Sequence, residues 1–153
     1  MKRFCALLIC LIVLSNLPVL HAAATSFSED EQIVLSQSFE DLGNGCYFIE
    51  TIYVPAIQSY SNTKTGTKTA QYIASGTTIY TISVTGTFTY DGSTSNATSA
   101  SGSIVTYVDG VTINSRRAYT SGSSAIATGS VTYNGATLQK TVTLTCDKNG
   151  NLS

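Results

Sequence analysis

The chain reads as an all-β protein, an antiparallel β-sandwich that is immunoglobulin-like in the broad sense and has about seven strands. Three observations carry that reading. Long stretches alternate apolar and hydroxyl side chains with a period of two, Asp-Gly and Asn-Gly pairs punctuate them, and no sustained helical periodicity follows residue 45.

The elements follow in order from the N-terminus. Lys2 and Arg3, the apolar run Phe4 to Leu14 and the small residues Ala22-Ala23-Ala24 form the pattern of a secretory signal peptide over residues 1–24. The apolar run is shorter than the roughly 20 residues a membrane span needs, and Ser15, Asn16 and Pro18 interrupt it, so export without a membrane anchor is expected. Cleavage after Ala24 leaves 129 of the 153 residues, the size of one domain. Residues 25–45 suggest a short amphipathic helix or a flexible lead-in: Ser28 and Glu31 make a capping box, and Leu35, Phe39 and Leu42 share a face at helical spacing.

The β-sandwich domain is expected over residues 46–153. In Thr78 to Tyr90, Tyr80, Ile82, Val84, Phe88 and Tyr90 share one face and threonines and Ser83 dominate the other. Leu138 to Cys146 repeats the pattern. Asp91-Gly92, Asp109-Gly110 and Asn134-Gly135 suit two-residue hairpin turns, pairing Val105 to Val108 with Val111 to Asn114 and Ala125 to Tyr133 with Ala136 to Cys146. Ser93 to Ser101 and Thr120 to Ser124, built of small polar residues, are expected as loops.

Cys5 and Cys10 depart with the leader, leaving Cys46 and Cys146 in an oxidising compartment. Both fall in the apolar phase of their strands. A Cys46 to Cys146 disulfide is therefore expected; closing a loop of roughly 100 residues, it would contribute about 4.7 kcal/mol in the chain-entropy model. Glu50 and Lys140 also fall in the apolar phase. If buried they should pair, since a lone buried charge is costly, and an isopeptide bond from a lysine to an Asn or Asp, helped by Glu50, is the sharper alternative.

Asp41-Leu42-Gly43-Asn44-Gly45-Cys46-Tyr47, Val84 to Gly92 and Lys140 to Ser153 together resemble a family of small secreted proteins from Gram-positive gut bacteria, largely uncharacterised. That resemblance implies secretion and a β-sandwich. It implies no activity and no functional residue.

Composition narrows function further. The only histidine, His21, leaves with the leader and there is no Trp, so the side chain best suited to acid–base work near neutral pH is missing. The mature chain carries six basic and nine acidic residues, a net charge of −3, with Arg116-Arg117 its only basic pair, which argues against nucleic acid as a partner. No cofactor, no metal site, no membrane insertion after leader removal and no enzyme activity are expected.

The reading that remains is an extracellular binding or adhesive module for a glycan or protein ligand. Tyr90, Tyr107 and Tyr133, each just before a turn, are its candidate binding surface, with rings that stack on sugars or anchor a partner. Two alternatives stand beside it: a small antimicrobial or immunity-related β protein, and a hydrolase working with two carboxylates alone.

Overall fold

The structure, a computed structural model, describes residues 31–56 and 62–153. The expected leader and Ser28 of the capping box lie outside these residues. Eight antiparallel strands form two sheets and no helix is present among the described residues: β1 (Gln32–Gly43), β2 (Cys46–Pro55), β3 (Thr63–Ala74), β4 (Thr77–Tyr90) and β5 (Ser95–Thr106) in one, β6 (Thr112–Ser121), β7 (Ser124–Tyr133) and β8 (Ala136–Thr145) in the other. Neighbours in each sheet are neighbours in sequence, so both sheets are simple meanders. The small sheet packs on the large one mainly through β3, β4 and β5, while Phe48, Ile52 and Val54 of β2 are buried in the same core.

Three hairpins close on two residues with positive φ: Asn44-Gly45, Ser75-Gly76 and Asn134-Gly135. This conformation matches the right-handed strand twist, which is why Asn-Gly is favoured there. The Asp109-Gly110 expectation is corrected. β5 ends at Thr106 against β4 and β6 begins at Thr112 against β7, so this segment carries the chain from one sheet to the other.

Two further expectations change. Residues Gln32–Gly43 form an edge strand on β2, not a helix, so the sheet begins before residue 46. Pairing shifts between Val34 and Ser36 and between Asp41 and Gly43 break the two-residue alternation and leave a spacing that imitates a helix. Residues 95–101, expected as loop, lie in β5, where small side chains are required by packing: a Cβ on Gly102 would sit 3.1 Å from Ala118 and Ala127.

The core between the sheets is formed by Tyr80, Ile82, Val84 and Phe88 of β4 facing Ala125, Ala127, Val131, Val142 and Leu144. The sheets approach closely at Gly86, where an added Cβ would lie 2.6 Å from Ala125 of β7 and 2.7 Å from the Phe88 ring of its own strand. At the Cys46 end, Phe48, Tyr72 and Tyr80 stack with centroids 5.3 to 6.3 Å apart. Burial pushes the Tyr80 phenol up to about 12, and its hydroxyl is buried without a partner.

Candidate functional site

The two cysteines do not meet, which corrects the expected disulfide. Cys46 and Cys146 are both free. Cys46 pairs with Ala74, and its thiol, followed by burial, drives the Tyr72 phenol up to about 12. Cys146 sits at the opposite end, bonded through its backbone to Ser123 and close enough to Lys64 to sense its charge. Ten residues of β3 separate Lys64 from Ala74, about 33 Å of strand, against the 4.4–6.8 Å a disulfide spans. The phase of both cysteines is inward, as read from the sequence, but phase fixes a face and not an end.

The three tyrosines are divided between those same ends. Tyr90, half-buried, packs over Gly150. Tyr107 and Tyr133 lie at the end opposite Tyr90: Tyr107 donates its backbone N–H to Ile79, is 55% exposed, and Tyr133 closes the core there. No single ligand face holds all three.

Glu50 and Lys140 do pair. The Lys140 ammonium lies 2.9 Å from Glu50, also bonds Glu40 of β1, and stands 4.3 Å over the Phe48 ring, while Lys68 reaches Glu50 at 3.4 Å. The groups that bond the Lys140 ammonium are the glutamates Glu40 and Glu50, not the Asn or Asp that the isopeptide alternative needs. Burial works to raise the Glu50 carboxyl, but the two ammonium groups prevail and hold it below its ordinary value. Glycoside hydrolysis wants the reverse, an acid kept protonated near neutral pH. Asp91 is likewise absorbed by structure: its carboxylate accepts the backbone N–H groups of Thr94 and Ser93 at 2.7 and 2.8 Å, which lowers its pKa.

What sequence reasoning passed over is the outer face of the five-stranded sheet. Its registers align hydroxyls in rows across the strands: Thr65, Thr87 and Ser99; Thr67, Thr85 and Ser101; Thr51, Thr69, Ser83 and Ser103. Within rows the hydroxyls bond one another, Thr67 to Thr85 at 2.8 Å and Ser83 to Ser103 at 3.1 Å. Gln37 donates to Thr51 at 3.2 Å. In the next row stand Phe39, Ile49, Gln71, Thr81 and Val105, and the Phe39 ring lies 4.9 Å from that of Tyr47.

Three features mark this face. Along the rows from Thr65 to Val105 it carries no charge; Asp41 stands at the β1 corner beside Tyr47 and Asp91 at the opposite end. Among the described residues the hydroxyls of Thr69 and Thr81 are buried and find no hydrogen-bond partner, and Thr81 is only 6% exposed. At the far end the face runs into a cleft of about 310 Å³ that Asn62, Thr63, Thr89, Asn96, Asp91 and Tyr90 line. Tyr90 thus lines the candidate site at one end, while Tyr107 stands two residues beyond Val105 at the other and Tyr133 closes the core. The legible signal was the unbroken Thr alternation of β4, which reads equally well as ordinary strand chemistry.

Among the described residues no cluster of metal-ligating side chains occurs and no helix is long and apolar enough to cross a membrane. No protein-family model, no curated protein and no solved structure matches the chain.

Proposed function

We propose that the protein is a secreted, non-catalytic binding module that holds a neutral glycan on the outer face of its five-stranded sheet. The observation that carries this reading is an uncharged field of hydroxyls and amides bordered by the stacked Phe39 and Tyr47 rings. Sugars offer apolar ring faces surrounded by hydroxyls. Aromatic rings match the first, and Thr, Ser and Gln side chains, each able to donate and accept, match the second.

The orphan hydroxyls of Thr69 and Thr81 support the same reading. A buried polar atom left unsatisfied costs about 1–3 kcal/mol, and these two lie directly beneath the hydroxyl rows of the face, where a small shift of the neighbouring side chains would open them to a ligand hydroxyl. The leader pattern of residues 1–24 supports export. The lack of charge disfavours an anionic polymer, whose binding rests on released counterions.

The test is depletion of the purified protein from solution by insoluble cell-wall and mucin-type neutral glycans. Retention that survives raised salt and falls about two- to twelvefold in Tyr47→Ser, from a stacking contribution of ~0.5–1.5 kcal/mol, is the expected result. Retention abolished by salt, or unchanged in both Tyr47→Ser and Gln71→Ala, overturns it.

A further inference from the structure

The exposed large apolar side chains among the described residues fall on two opposite sides of the molecule. Ile33, Val34, Leu35, Phe39 and Leu42 are 45–63% exposed and all belong to β1. Val105, Tyr107, Ile113 and Tyr119 are 37–55% exposed and belong to β5, β6 and the segment joining them. Four strand spacings separate β1 from β5, about 19 Å, and β6 packs beside β5, so the two patches cannot cover each other within one chain.

Both sides end in open edges. Among the described residues β1 has β2 on one side only and β6 has β7 on one side only, so each leaves a row of backbone N–H and C=O groups without a sheet partner there. Such an edge templates the addition of another strand; lysine and proline, which commonly blunt one, are absent from Gln32–Gly43 and Thr112–Ser121, and the pairing shifts leave Ser36 to Asp41 and Ser115 to Ser121 as regular stretches. Their charges are of opposite sign. β1 carries Asp41 next to Leu42 and Glu40, which bonds Lys140 but keeps a half-exposed side chain, whereas β6 carries Arg116 and Arg117, which form no ion pair among the described residues.

We infer that the chain assembles with itself head to tail, the β1 edge of one copy adding to the β6 edge of the next. An antiparallel register that sets Glu40 opposite Arg117 also sets Asp41 opposite Arg116 and Phe39 opposite Ala118, so both acids meet both bases while the apolar side chains of the two edges are covered together. Because the two edges differ and lie on opposite sides, the contact is heterologous and each added copy exposes a fresh edge. The product is an open filament, not a closed dimer. A row of neutral-glycan faces along it would bind multivalently, but the assembly stands without that reading.

Sedimentation velocity of the purified protein over a wide concentration range tests this, with folding of each variant checked by thermal melting. The unmodified chain is expected to grow past the dimer as concentration rises. Leu35→Lys/Leu42→Lys, with its β1 edge blocked, and Arg116→Glu/Arg117→Glu, with its β6 edge blocked, should each stay monomeric. Mixed, they should form a one-to-one dimer and nothing larger, through the intact β6 edge of the first and the intact β1 edge of the second. An unmodified chain that remains monomeric throughout overturns the proposal, as does an arginine variant that still dimerises, which would mean that β1 pairs with β1. The arginine variant alters no core side chain and decides the matter alone should the lysines on β1 disturb its pairing to β2.

Discussion

Replacing Lys140 by Met isolates the energetics of the charge cluster that ties β8 to β1 and β2. The substitution keeps the length and apolar stem of the side chain and removes the ammonium that serves Glu40, Glu50 and the Phe48 ring together. Exposed ion pairs contribute ~0–1 kcal/mol, whereas taking one partner from a fully buried pair costs ~3–5 kcal/mol. Lys140 and Glu50 have side chains 13% and 21% exposed, between those limits, and Lys68 still reaches Glu50 in the variant. A loss of about 2 kcal/mol at pH 7 follows, with the cation–π contact inside that figure. For a domain of this size the loss lowers Tm by about 6–8 °C.

The pH dependence separates this account from a simple packing defect. In the native protein the Glu50 carboxyl lies below its ordinary value of 4.5, so its contribution is present above that value and is lost as pH falls through the folded-state value. In the variant, burial with only Lys68 opposing it no longer holds the carboxyl so low. The difference in stability between the two proteins should therefore shrink between about pH 5 and pH 3. Lys140 itself is raised above its ordinary value, the two glutamates outweighing burial, so its contribution fades only as alkaline pH passes that raised value. Thermal melts of both proteins at pH 7 and pH 3.5 provide the measurement. An equal Tm difference at the two pH values refutes the electrostatic reasoning.

Three other perturbations have defined outcomes. Intact mass of the native protein should show two free thiols, with Cys46 alkylated before unfolding and Cys146, 1% exposed and raised by burial and by Asp147, only after it; a mass lower by the two hydrogens of a disulfide contradicts the placement of the cysteines at opposite ends. Gly86→Ala should cost about 1–3 kcal/mol in denaturant unfolding, because the new methyl meets Ala125 and the Phe88 ring; an unchanged midpoint would mean that the sheets can part there freely. Thr81→Val should stabilise by about 1 kcal/mol through loss of an unsatisfied hydroxyl; an unchanged or lower denaturant midpoint would mean that the hydroxyl has a partner.

Strand phase was the most readable property of this chain. The alternation of β4 and β8 placed Tyr80 to Phe88 and Val142 to Cys146 inward, and the same phase brought Glu50 and Lys140 to one side, where they pair. Position along a strand carries no periodic signal, which is why Cys46 and Cys146, correctly phased, were expected to bond across a distance of several strand spacings. Bulges hid β1, since the shifts beside Leu35 and Leu42 displace the apolar side chains from strict alternation. Small residues hid β5, since Ser, Ala and Gly signal a loop in isolation and a close sheet approach in context. The candidate site was the least readable part. Its hydroxyl rows exist only once the registers of five strands are set, and no single segment shows them.

Backbone amide chemical-shift mapping during titration with a soluble neutral oligosaccharide addresses the proposed glycan face most directly. The account predicts shifts concentrated in β1 to β5, centred on Tyr47, Thr69, Gln71 and Thr81 and extending toward Asn96. Shifts confined to β6, β7 and β8, or none with any neutral sugar tested, would contradict it.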